Sequence, residues 1–327
     1  MILATHGRSI WIYDDATPLQ TTTTAILNSN MHLFPVRPAI RHATRFTRYG
    51  VGDKLFTGPN PAYGALITYY LKDKPDDKTT FKIQILDQGG KLVQELTNPA
   101  KEKGMNRAAW NLRLGGAEVR RPPSEEETAF AGPPRGPHVL PGTYTVKLML
   151  GDKSIQQTVE VRVDPTINVS PADLQAQYNL QVKLRDMQSA VNTSLRYLDS
   201  IEAQLKNTQT TVKNLNKEPD KELMKALEDY IKQVMALEDR LARRTEGLGF
   251  PGKAQVVNKI GELFFGLDGT NAAPTLYQRQ YFEEIQPEYR ERMAEVNRVV
   301  KDTIPQWNEK LRAWNAPTLT TRMPVEF

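Results

Sequence analysis

A chain of 327 residues has room for two or three domains, and its core needs no metal or covalent staple. The absence of cysteine excludes disulfides, thiolate nucleophiles and cysteine-ligated zinc or iron–sulfur centres. The formal charge of +5 comes from 43 basic and 38 acidic residues interleaved along the chain, a pattern of solvated faces rather than of a phosphate-tracking groove, so no nucleic-acid partner is expected. No apolar run approaches the roughly 20 residues that span a bilayer, so no transmembrane insertion is expected either. Met1 to Arg8 has neither the basic start nor the apolar length of a signal peptide. A true start at Met1 implies a cytoplasmic protein, whereas derivation from a longer parent leaves periplasmic or secreted export open.

The first 19 residues read as two short strands, Met1–Ala4 and Ser9–Tyr13, around a turn at Gly7, closed by Asp14, Asp15 and Pro18. Two such strands cannot bury Ile10, Trp11 and Ile12 by themselves. Residues 20–62 carry Pro35, Pro38, Pro59 and Pro61 with little periodicity and are expected to form an extended strap. From residue 63 the alternation is clean. Ala65, Ile67, Tyr69 and Leu71 share one face of a strand, and Phe81, Ile83 and Ile85 share a face of the next. Asp87-Gln88-Gly89-Gly90 predicts a hairpin turn into Lys91-Leu92-Val93. Ala109 to Leu112 gives a further strand; Tyr144, Val146 and Leu148 point inward from another; Val159, Val161 and Val163 repeat the pattern up to Pro165. Such strands predict a β-sandwich of immunoglobulin-like size over 63–166. Residues 116–141, rich in Pro and Glu, interrupt it as an exposed loop.

Near residue 170 the hydrophobic period changes from 2 to 3.6. Ser170 is placed as an N-cap, with Pro171 at the first helical position and Asp173 at the third. A stripe then runs through Leu180, Leu184, Met187, Val191, Ser194, Leu198, Ile201, Leu205, Thr208, Val212 and Leu215, along a rod of roughly 60 Å. After a break at Asn214 to Pro219, a second stripe follows through Leu223, Leu227, Tyr230, Val234, Leu237 and Leu241, with Gly247, Gly249, Pro251 and Gly252 as its stop. A short helix over about 253–266 and a long one from near Pro274 complete the series. The long one carries Tyr289, Met293, Val296, Val300, Ile304, Trp307, Leu311 and Trp314, with Pro287 and Pro305 expected to kink it. An antiparallel hairpin or bundle over 170–316, with a tail at 317–327, covers these stripes within one chain. Pairing between chains, including weak self-association, is the alternative.

Chemistry-bearing constellations are sparse. His6, His32, His42 and His138 lie apart in sequence, with no HExxH spacing and no GxSxG elbow. Asp14 and Asp15, adjacent in an extended segment, point in opposite directions and suit a turn. Glu125, Glu126 and Glu127 fall in the Pro-rich loop, while Glu262, Glu283 and Glu284 lack the Glu-x-x-His partners of a di-metal bundle. Gly89-Gly90 and Gly115-Gly116 lack a P-loop lysine and read as turns. Trp11 and Trp110 fall in strands and are expected in a core, as are Trp307 and Trp314 in the helical stripe. Asn192-Thr193-Ser194 fits a glycosylation sequon but lies inside a helix. No catalytic, cofactor-binding or metal-ligating residue is assigned, and no cofactor is expected.

The segment Thr5-His6-Gly7-Arg8-Ser9-Ile10-Trp11-Ile12-Tyr13-Asp14-Asp15 resembles the final-blade segment of large bacterial sortilin-like, BNR-repeat β-propeller proteins, often labelled glycosyl hydrolases or sialidase-like. Leu140-Pro141-Gly142-Thr143-Tyr144, the Val163-Asp164-Pro165 exit, the Leu180 to Leu205 stripe and Ile304 to Leu311 resemble the strand, exit and helical tail that follow the propeller in that family. The resemblance implies a multidomain β-plus-α chain: a propeller-blade remnant, a strap, an immunoglobulin-like sandwich and a helical bundle. The partner it implies is a propeller region lying upstream, or another protein. The function implied is that of a non-catalytic accessory scaffold or protein-interaction region. The alternative is part of a sialidase-like glycoside hydrolase whose catalytic propeller lies upstream; the repeated blades and arginine cluster of such a site are absent from this sequence.

Overall fold

The computed structural model describes residues 1–7, 10–42, 60–124, 135–215, 220–242 and 254–320. It is a mixed β and α protein with several sheets and a long helical region. It divides into two units, one of residues 1–115 and 138–169 and one of residues 116–137 and 170–327.

The β unit opens with a hairpin of β1 (Ile2–Ala4) and β2 (Ile10–Ile12), in register Ile2 to Ile12, Leu3 to Trp11 and Ala4 to Ile10. Residues 20–62 do more than strap. Two short helices, α1 (Thr17–Thr21) and α2 (Thr24–Asn28), lead into β3 (Met31–Leu33) and β4 (Ala39–Arg41), which join two different sheets. Met31, Leu33 and Ala39 supply the burial that stabilises these short strands. The turn-rich composition gave no periodicity from which to read them; residues 43–59 lie outside the description.

The remaining strands are β5 (Ala65–Leu71), β6 (Phe81–Leu86), β7 (Leu92–Glu95), β8 (Gly104–Trp110), β9 (Gly142–Leu150) and β10 (Lys153–Val163). One sheet runs β3-β5-β8 and the other β4-β10-β9-β6-β7, with β4 parallel to β10 and the other pairs antiparallel. Alternation places the inward residues as expected. Ala65, Ile67, Tyr69 and Leu71 of β5, Ile83 and Ile85 of β6, and Val146 and Leu148 of β9 are buried in one apolar cluster fed by both sheets. The expected strand Ala109–Leu112 differs. β8 begins at Gly104 and ends at Trp110, and Leu112 takes φ 57°, a left-handed turn that keeps its side chain buried. At the Asp87 turn the carboxylate accepts the Gly89 and Lys91 N–H groups, and Gly90 takes φ 78°.

The helical unit contains α3 (Pro171–Leu215), α4 (Lys221–Leu241), α5 (Val256–Asp268) and α6 (Leu276–Arg298). A π-helical turn (Val299–Thr303) and α7 (Ile304–Ala313) follow. The Ser170 hydroxyl accepts the Asp173 N–H at 3.0 Å, as the cap reading requires. Leu184, Val191, Leu198, Ile201 and Leu205 of the first stripe are buried in one cluster with Leu223, Leu227, Val234 and Leu241 of the second, and Met187 packs against it half-buried. α4 ends at Leu241, and the expected Gly247 to Gly252 stop lies outside the described residues.

The two prolines behave differently. Pro287 sits inside α6 without interrupting it; Pro287 and Glu283 are both exposed, so the carbonyl released four residues back faces solvent. Pro305 is preceded by the π turn, in which the Ile304 N–H donates to the Val299 carbonyl and the widened turn relieves the crowding of the proline ring. The tail is partly docked: Leu319 is buried, and its N–H and carbonyl bond the Asn308 side chain.

Within the same unit, residues 116–124 are no free loop, as their Pro and Glu content had suggested. The Arg120 guanidinium bonds Asp199 of α3 and, at 3.2 Å, the fully buried Glu238 of α4. Glu118 bonds Ser189 and Asn192 through its backbone and Arg196 through its carboxylate. Ion pairing thus orders a segment that hydrophobic pattern could not place; Glu125, Glu126 and Glu127 lie outside the described residues.

Candidate interaction surface

Among the described residues, the β1–β2 hairpin carries the largest concentration of exposed apolar side chains. Ile2 is 71% exposed, Leu3 50%, Ile10 71%, Trp11 66% and Ile12 68%. Cross-strand neighbours share a face, so Ile2, Ile12, Ala4 and Ile10 form one side and Leu3 with Trp11 the other. Both faces are therefore apolar, a composition found where a strand is covered on two sides. The expectation that Trp11 lies in a core is corrected: nothing in the described chain covers it, because a two-stranded ribbon has no inner face.

The hairpin is held at its base. Met1 and Tyr13 exchange backbone bonds of 2.8 Å. Arg107 of β8 donates to the Tyr13 hydroxyl at 3.0 Å and the Asp15 carbonyl at 3.3 Å, with its guanidinium carbon 5.0 Å from the Tyr13 ring centre. Asp15 also accepts the Thr17 N–H at 3.0 Å, an Asx-type turn just before α1, as turn chemistry predicts. No local pattern points to Arg107, which lies more than ninety positions from its partners.

Among the described residues, the histidines singled out in the sequence lie apart from one another or against aromatic rings. His32 meets Phe34 edge-on, and burial holds its imidazole below the usual histidine pKa. His42 and His138 both flank Tyr63 in the β unit, with ring centres 4.9 and 6.2 Å away. His6 lies in the exposed hairpin turn. Among the described residues, no group of three or more His, Asp or Glu side chains is placed to hold a metal ion. Trp110 is fully buried; Trp307 stacks on Tyr230 at 4.7 Å, and Trp314 is half-buried. Asn192 of the sequon donates its side-chain amide to the Glu118 carbonyl inside α3. No helix among the described residues is long and apolar enough to cross a membrane. Comparison of the chain with family models, with curated proteins and with solved structures gives no match.

Proposed function

We propose that this chain is a non-catalytic accessory scaffold whose terminal hairpin packs against a β-propeller. The observation that carries the reading is the hairpin with two apolar, exposed faces, Ile2, Ile10 and Ile12 on one and Leu3 with Trp11 on the other. A propeller blade stands between neighbouring blades and has both faces covered, so it accepts a two-sided strand pair where a single flat sheet would not. Covering each of these side chains fully is worth about 1.5–3 kcal/mol. The β3-β5-β8 and β4-β10-β9-β6-β7 sheets then form an immunoglobulin-like sandwich; its Tyr144 hydroxyl donates to the Leu140 carbonyl at 2.7 Å, a return bond of the kind that pins corners in such sandwiches. The helices form an antiparallel bundle.

The test is association in trans with a purified BNR-repeat propeller, followed by tryptophan emission. Trp11 is the most exposed of the four tryptophans, so docking should shift its emission to the blue and protect it from iodide. The triple variant Ile10→Thr, Trp11→Ser, Ile12→Thr should lose association and keep its melting temperature. Equal binding by the triple variant, or a Trp11 still quenched by iodide at saturating propeller, would sink the reading.

A further inference from the structure

In the helical unit, α5 and α6 turn an aromatic surface outward. Phe265 of α5 is 78% exposed and Tyr277 of α6 71%. The Tyr277 ring stacks on Tyr281 one turn further along α6, with centres 5.9 Å apart and planes at 11°. The two helices run antiparallel, held where the Gln278 amide donates to the Gly266 carbonyl at 3.2 Å and where Lys259 pairs with Glu288. Tyr277, Tyr281, Glu284 and Glu288 recur every three or four residues and so share one side of α6, as Glu262 and Phe265 share a side of α5. Carboxylates therefore surround the rings. Burial raises the Tyr281 hydroxyl pKa, and the charges of Glu262, Tyr277, Glu284 and Glu288 raise it further. This face is acidic although the chain as a whole carries +5. Its Lys259 is taken up by Glu288, and Arg279, two residues past Tyr277, leaves α6 about 200° further round the helix. Glu262 and Glu284 are exposed, and no ion pair among the described residues takes up either carboxylate. Exposed rings attract a cation over their faces, and neighbouring carboxylates accept its N–H groups. A guanidinium meets both demands at once, because it is planar, stacks on rings and donates through a fixed fork.

We propose that this α5–α6 face docks an arginine-rich segment of a partner protein. Guanidinium groups lie over Phe265 and Tyr277 and donate to Glu262 and Glu284. Since the chain is basic overall, attraction of such a segment is local to this face rather than a property of the whole surface.

Fluorescence anisotropy with a labelled peptide of four Arg-Gly repeats tests this, against the same peptide built with citrulline, which keeps the shape and removes the charge. The arginine peptide should bind saturably at low salt, about tenfold more tightly than the citrulline peptide, and weaken as salt screens the carboxylates. Glu262→Gln with Glu284→Gln, and separately Phe265→Ala with Tyr277→Ala, should each weaken it about fivefold. All four side chains are exposed, so the melting temperature of both double variants should hold. The proposal is overturned by no saturable binding at millimolar protein, by a citrulline peptide that binds equally, or by either double variant binding as tightly as the parent. Binding of chitohexaose with none of the arginine peptide would assign the rings to glycan stacking and overturn it too.

Discussion

Gly64 has φ 106°, and a Cβ added there would lie 1.9 Å from the Trp110 carbonyl oxygen. The chain enters β5 so close to the end of β8 that no side chain fits. Gly64→Ala would add backbone strain of about 1–3 kcal/mol to an overpacking term of similar size. A loss of roughly 3–4 kcal/mol is expected in urea unfolding, and a variant within about 0.5 kcal/mol of the parent would refute the contact. Nothing in the sequence distinguishes Gly64 from the other turn glycines, since the carbonyl it must clear lies 46 positions away. Ala65, Ile67, Tyr69 and Leu71 were legible because alternation is a local signal. Trp11 shows the limit of that signal: a strand pattern states that a side chain needs cover, not that the chain supplies it.

At the scale of elements, long stripes were readable and short strands were not. The stripe from Leu180 to Val212 repeats over many turns of α3, so its buried face could be read end to end. β3 and β4, three residues each, are specified by the strands they join rather than by their own pattern. The 116–124 segment is specified by charge. Asp199 hydrogen-bonding holds the Arg120 guanidinium above its ordinary pKa, and Glu238 is fully buried. Removing Arg120 leaves that carboxylate without a charge partner it now has. Arg120→Ala should therefore lower the stability of the helical unit by about 2–3 kcal/mol, and Arg120→Lys by less, because it keeps the charge but not the fork. Equal chemical denaturation midpoints for the parent and Arg120→Ala would refute this role.

At the scale of the whole molecule, the described residues form two separate apolar clusters, one in each unit. Ile67 belongs to the first unit and Leu198 to the second, and both are fully buried. Each, cut to alanine, should cost about 2–5 kcal/mol. Calorimetry of the two variants should show two unfolding components, with Ile67→Ala lowering one and Leu198→Ala the other. A single transition moved equally by both would refute separable cores. The change of period near residue 170 made this division readable, except that residues 116–137 belong with the helices although β9 and β10 come after them. That exception bears on how the protein is made. During synthesis Arg120 leaves the ribosome 118 residues before Glu238, an interval of roughly 6–24 s at about 5–20 residues per second. For that time the nascent strands can pair while the segment threaded between them stays undocked, and the last turns of α4 must emerge before it can settle.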